Sequence, residues 1–150
     1  MKKVTVIILM SISVIVPVLA RQSEQDIETV QSKVRFAPLH IYLDSGNKSL
    51  AAYQFELKAA GQIKIVGVEG GQHKAFEEAP YYDPAALAND RIIIAAFNTG
   101  SELPKGRTRI ATIHLQIIGD AEPDYELKLT VAADADANEI PAKISFEKGE

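Results

Sequence analysis

The segment Ala51-Ala52-Tyr53-Gln54-Phe55-Glu56-Leu57-Lys58 decides the fold. Ala51, Tyr53, Phe55 and Leu57 alternate with Ala52, Gln54, Glu56 and Lys58, the period-two pattern of a strand with one buried and one solvated face. On its N-terminal side, Leu39-His40-Ile41-Tyr42-Leu43 repeats the pattern and runs into the turn-forming Asp44-Ser45-Gly46-Asn47-Lys48. On its C-terminal side, Ala59-Ala60-Gly61 turns the chain into a less regular strand, Gln62 to Glu69, closed by Gly70-Gly71.

Further along, Arg91-Ile92-Ile93-Ile94-Ala95-Ala96-Phe97 is apolar on both faces, which predicts a central strand covered on both sides. The loop at residues 98–106 leads to Arg107–Ile118, where Ala111, Ile113, Leu115 and Ile117 point one way and Thr112, His114 and Gln116 the other. After the turn Gly119–Asp124, the residues Tyr125, Leu127, Leu129 and Val131 alternate with Glu126, Lys128 and Thr130. Residues Ile140–Glu147 close the pattern, with Ile144 and Phe146 inward. At least seven strands at short intervals and almost no helical period predict an antiparallel β-sandwich over residues 34–150.

The long segment Gln72–Asn89 has no strand pattern, and loops of that length tend to be functional or to hold local structure. Within it, Asp83 followed by Pro84 predicts a helical turn with Asp83 as its N-cap.

The first twenty residues stand apart. Met1-Lys2-Lys3 is basic, Val4–Ala20 is uncharged and mostly apolar, and Val18-Leu19-Ala20 suits cleavage after Ala20, the plan of a secretory signal peptide. The competing reading is an uncleaved membrane anchor. Pro17 and the polar run that starts at Arg21 favour cleavage. Residues 21–33 read as a polar tail or linker, and the expected location is secreted, periplasmic or at a bacterial cell envelope.

Cleavage removes Lys2 and Lys3 and no acid, leaving 14 basic against 20 acidic side chains and a formal charge of −6. So acidic a domain has no electrostatic footprint for nucleic acid. It attracts anionic lipid no better, which leaves membrane association to an uncleaved N-terminal segment. The chain has no Cys, which excludes disulfides, thiolate zinc sites and a thiol nucleophile. Motifs for a serine nucleophile, a zinc protease or a phosphate loop are missing, and the 20 acids form no recognisable catalytic pair. No cofactor is implied.

Asp134-Ala135-Asp136-Ala137-Asn138-Glu139 opens like a calcium loop. It has Glu139 where glycine is required and Ser145 where a bidentate Glu is required, so a solvated acidic hairpin is the favoured reading. His40 and His114 fall on outward faces and read as surface residues. Phe76, Tyr81 and Tyr82, beside His73 and Asp83, have two readings. They are a cap over one end of the core, or a surface on which sugar rings stack.

Taken in order, Leu39–Asp44, Ala51–Lys58, Arg91–Phe97 and Gly106-Arg107-Thr108-Arg109-Ile110-Ala111-Thr112-Ile113-His114-Leu115-Gln116-Ile117 resemble the cohesin domain family. The likeness lies in the aromatic-x-aromatic-x-leucine strand (Tyr53, Phe55, Leu57) and in a late glycine followed by aliphatic-alanine-x-aliphatic (Gly106, Ile110, Ala111, Ile113), and it covers most of residues 37–148. It implies an all-β, antiparallel jelly-roll β-sandwich of about eight or nine strands, related to carbohydrate-binding modules. It also implies a non-catalytic module that recognises a dockerin-like protein through one sheet face. The outward positions Gln54, Glu56, Thr112, His114 and Gln116 are then the expected partner-binding residues, with Tyr81 and Tyr82 as loop anchors. The alternatives are polysaccharide binding by Phe76, Tyr81 and Tyr82, and a structural subunit of an envelope assembly joined by strand addition at a sheet edge.

Overall fold

The structure is a computed structural model that describes residues 33–149. The expected signal peptide and all but Lys33 of the expected polar tail lie outside the described residues. Among those residues, no helix is long and apolar enough to cross a membrane.

Within residues 33–149, eight strands form two four-stranded sheets, antiparallel throughout. They are β1 (Val34–Asp44), β2 (Ala52–Ala60), β3 (Ile63–Gly70), β4 (Tyr81–Tyr82), β5 (Arg91–Phe97), β6 (Arg107–Ile118), β7 (Asp124–Ala133) and β8 (Lys143–Lys148). One sheet has the order β3-β6-β1-β8 and the other β4-β5-β2-β7. The chain changes sheet at every connection except β4 to β5, the winding of a jelly-roll sandwich.

Alternation sets the two layers. Tyr53, Phe55, Leu57 and Ala59 of β2 face Leu39, Ile41 and Leu43 of β1 and Ala111, Ile113, Leu115 and Ile117 of β6 across one core. These side chains are aliphatic or aromatic, and Tyr53, Phe55, Ile41, Ile113 and Ile117 among them are of the types that suit a pleated half-buried surface. Removing one of them, as in Leu57→Ala, costs about 2–5 kcal/mol through lost transfer energy and the cavity left behind.

Three bulges re-aim the strands. One lies in β6, where Tyr42 pairs with Arg109 and Ile41 with Ala111, leaving Ile110 as the extra residue. Ile110 and Ala111 both turn inward as a result. The others lie at Val66 in β3 and at Thr130 in β7.

Gly70 and Gly71 have a tighter role than closing a strand. A Cβ on Gly70 would sit 2.1 Å from the Glu77 carbonyl oxygen, and one on Gly71 would sit 2.2 Å from that of Arg109. The chain here lies flat between two other backbones. Its position is fixed by Gly71 N–H to Phe76 O and Gln72 N–H to Arg109 O.

The long segment at residues 72–89 holds more structure than its pattern indicates. His73 Nδ1 accepts from Ala75 N–H and starts a 3-10 turn at Lys74–Phe76. Tyr81 and Tyr82 form β4, too short for any periodicity to register. Asp83 Oδ1 accepts from Ala85 N–H, so it caps the expected turn, which is a 3-10 turn at Pro84–Ala86.

The expectation that Arg91–Phe97 is covered on both sides needs correction. β5 is central in hydrogen bonding, between β4 and β2, but only Ile92, Ile94 and Ala96 face the core. Ile93 and Phe97 point to solvent, because a strand in a two-layer sandwich has one inner face only.

Candidate functional site

The outward residues chosen from alternation do not share a surface. Gln54 and Glu56 stand on β2, and Thr112, His114 and Gln116 on β6, so the two groups lie on opposite outer faces of the sandwich.

The β3-β6-β1-β8 face is largely closed by its own polar contacts. Thr112 is only 3 % exposed, set between His40 and Glu69, and its Oγ1 lies 3.1 Å from His40 Nδ1. His114 Nε2 lies 3.0 Å from Glu69 Oε1, and its ring rests over Gly67. The Arg107 guanidinium covers the Tyr42 ring at 3.6 Å while donating to Glu147. Gln116 pairs with Phe36, which is exposed near the start of β1.

The β4-β5-β2-β7 face is different in kind. Register places Tyr81, Ala95, Gln54 and Val131 in one row across the four strands. Phe97 and Ala52 lie in the row on one side of it, and Ile93, Glu56 and Lys128 in the row on the other. The Tyr81 and Phe97 rings stack at 6.1 Å with planes 11° apart, and they remain 69 % and 65 % exposed. Ile93 and Val131 are also exposed, so an apolar strip runs from the β4 edge towards β7 around Gln54. Gln54 is held in place by Thr130, whose Oγ1 donates to the Gln54 carbonyl at 3.0 Å and lies 3.3 Å from its Nε2.

Beyond this strip the face becomes charged. Arg91, Lys58 and Glu126 form one row, and Arg91 Nε donates diagonally to Glu56. That hydrogen bond holds the Glu56 carboxyl below the usual carboxylate range, aided by the Lys128 and Lys58 charges. An apolar centre with a charged border on a flat sheet has the anatomy of a protein-docking surface.

The three loop aromatics separate. Phe76 is 4 % exposed and meets Tyr53 edge-on at 5.1 Å, so it is a core cap and presents no face to a ligand. Tyr82 is half-buried against the core. Tyr81 alone presents its ring to solvent. Beside it lies a hollow of about 250 Å³ lined by Lys74–Tyr81 and Ala96–Asn98. Phe97, the partner of Tyr81 in the stack, and Ile93 were missed from the sequence. Their signal was the two-sided apolar character of Arg91–Phe97, which in a sandwich means one apolar side in solvent.

The Asp134 carboxylate accepts from the N–H groups of Asp136 and Asn138, and the Asn138 bond holds its pKa low. Among the described residues, no three His, Cys, Asp or Glu side chains converge as a metal site would require.

Compared with protein-family models, with curated proteins and with solved structures, the chain matches none.

Proposed function

We propose that the chain is a non-catalytic, exported binding module of cohesin-like type that docks a protein partner on the outer face of β4-β5-β2-β7. The observation that carries this reading is the exposed Tyr81–Phe97 stack, continued by Ile93 and Val131 and bordered by Arg91, Glu56, Lys58, Glu126 and Lys128. Aromatic anchors at the centre of a patch with a polar rim dominate the energetics of protein interfaces. Of the expected partner-binding residues, this reading keeps Gln54 and Glu56 and leaves Thr112, His114 and Gln116 on the face it does not use.

Binding of a panel of dockerin modules, with and without calcium, tests the proposal. Phe97→Ser combined with Tyr81→Ala should weaken binding at least about tenfold, and Gln116→Ala on the opposite sheet should leave it unchanged. No binding to any dockerin, or binding lost through Gln116 and kept without the aromatic stack, overturns the proposal.

A second reading is favoured by the hollow beside Tyr81, where Lys74, Glu77, Glu78 and Asn98 supply polar groups next to an aromatic face. Such an arrangement fits a sugar chain, with hydroxyls read by the polar side chains. Retention on cellulose or chitin that is lost in Tyr81→Ala would select it over the protein-docking reading.

A further inference from the structure

Of the four strands that end the two sheets, three are guarded. β3 is bulged at Val66, and its Ile65 exchanges hydrogen bonds with Ala88 and Asn89 of the following segment. β4 is two residues long. β8 carries the charge of Lys148 at an inward-facing position, where its Nζ meets Glu122. Short length, bulges and inward charges are the devices that keep edge strands from pairing with other chains.

β7 lacks these devices over Asp124–Leu129. It has no proline, its inward residues are Tyr125, Leu127 and Leu129, and its bulge comes only at Thr130. The three inward side chains are half-buried, whereas Phe55 and Leu57 on the neighbouring strand are fully buried. The side of the sandwich between β7 and β8 is therefore incompletely closed along Leu127 and Leu129, while Tyr125 meets Phe146 edge-on at 5.3 Å and has the Lys148 ammonium 5.8 Å from its ring.

The main-chain directions on β7 follow from β2. Ala59 N–H donates to Asp90 O, so the odd-numbered residues of β2 turn their main-chain groups towards β5. Those of Glu56, Lys58 and Ala60 consequently face β7, where their partners are Lys128, Glu126 and Asp124. The N–H and C=O groups of Tyr125, Leu127 and Leu129 thus point out of the sheet edge. Among the described residues they bond no other main-chain group. Cover from the same chain begins only at Ala132, whose carbonyl accepts from Ile140 N–H.

This edge is complementary to itself. An antiparallel copy centred on Leu127 sets Leu127 against Leu127 of the second copy and Tyr125 against its Leu129, all on the inner face. On the outer face it sets Glu126 against Lys128 of the second copy and Lys128 against its Glu126. Neither of these charged side chains has an ion-pair partner within 4.0 Å among the described residues. The outward main-chain groups supply about six hydrogen bonds in this register. Opposite charges directly across a strand pair favour pairing, and like charges oppose it.

We infer that a second copy of this chain adds to the free edge of β7, making a two-fold dimer whose β4-β5-β2-β7 sheets join into one. The dimer uses the main chain of the β7 edge and shares only Glu126 and Lys128 with the border of the docking face, so it stands whether or not that face binds dockerin.

The test is the oligomeric state of the chain in the form that an expressing cell releases, followed by sedimentation across a concentration series. A concentration-dependent dimer is expected. Glu126→Lys alone puts two like-charge pairs across the interface and should weaken the dimer by about tenfold or more. Glu126→Lys with Lys128→Glu restores both pairs and should restore the dimer, although it worsens the contacts of both residues with Lys58 and Glu56 inside each copy. Leu127→Pro removes an N–H that the single copy leaves unbonded, and should give a folded monomer by circular dichroism. A wild-type chain that stays monomeric up to about 100 µM, roughly the range of a weak specific dimer, overturns the inference. So does a dimer that is indifferent to Glu126→Lys, or one that the double exchange fails to rescue.

Discussion

The phenol of Tyr53 donates to the carbonyl of Ile110 across the core, at 2.9 Å. Ile110 is the bulged residue of β6, so its carbonyl is displaced from the regular ladder, and a side chain from the other sheet satisfies it. The hydroxyl is buried, and this pushes its pKa well above the usual tyrosine value, so it stays a donor at all physiological pH. Tyr53→Phe keeps the ring and its contacts with Phe55 and Phe76 but orphans the carbonyl. The expected cost is about 1–3 kcal/mol, read as a lower urea midpoint with an unchanged slope.

Gly71→Ala should cost more than about 2 kcal/mol, because backbone cannot move aside as a flexible side chain can. The added methyl would press on the Arg109 carbonyl and the Ile110 Cα. Gly119→Ala makes a useful contrast, since a Cβ there meets nothing within 4 Å and only the left-handed backbone resists it. Thermal unfolding of the two variants should rank Gly71→Ala as the more damaging.

Phe76 and Phe97 are the same residue type in opposite situations. Phe76→Ala should lose about 3–5 kcal/mol by opening a cavity beneath Tyr53, whereas Phe97→Ser should lose less than about 1 kcal/mol. Denaturant titration separates them. A large loss at Phe97 would mean that the outer face is built for stability and not for docking.

Acid should destabilise the domain through three carboxylates. The Lys148 ammonium and the Arg35 guanidinium hold Glu122 below its ordinary range, the N–H groups of Asn138 and Asp136 do so for Asp134, and Arg91 does so for Glu56. A depressed carboxylate contributes stability that is complete above its unfolded value, near about pH 4, and is lost as pH falls through the lower folded value. The urea midpoint should therefore be flat from about pH 7 to 5 and fall below that, with a shallower fall in Glu122→Gln.

Much of the architecture was legible because burial in a sandwich has the period of the strand. Tyr53, Phe55 and Leu57 alternate in sequence and in space alike. Asp83 likewise announced its cap by a local bond that needs no tertiary context. The candidate site was less legible, since alternation says that a side chain points outward but not on which of two outer faces it lies. That ambiguity grouped Gln54 with Thr112, which lie on different sheets. Phe97 meets Tyr81 only after the chain has turned back through the 3-10 segment at Pro84–Ala86, a pairing no local pattern contains. The bulge at Ile110 also shifts the parity of β6, so Ile110 and Ala111 are adjacent in sequence and both inside.

The position of β1 has a kinetic consequence. Its neighbours in the sheet are β6 and β8, so the first strand of the domain cannot be flanked until Lys148 has been made. During synthesis Leu39, Ile41 and Leu43 wait for β6 until Ile118 has been made, and their other side waits for β8 until Lys148 has been made. Pairings this distant in sequence also carry a loop-closure cost that slows folding. The strand that opens the domain is thus among the last to be paired on both sides.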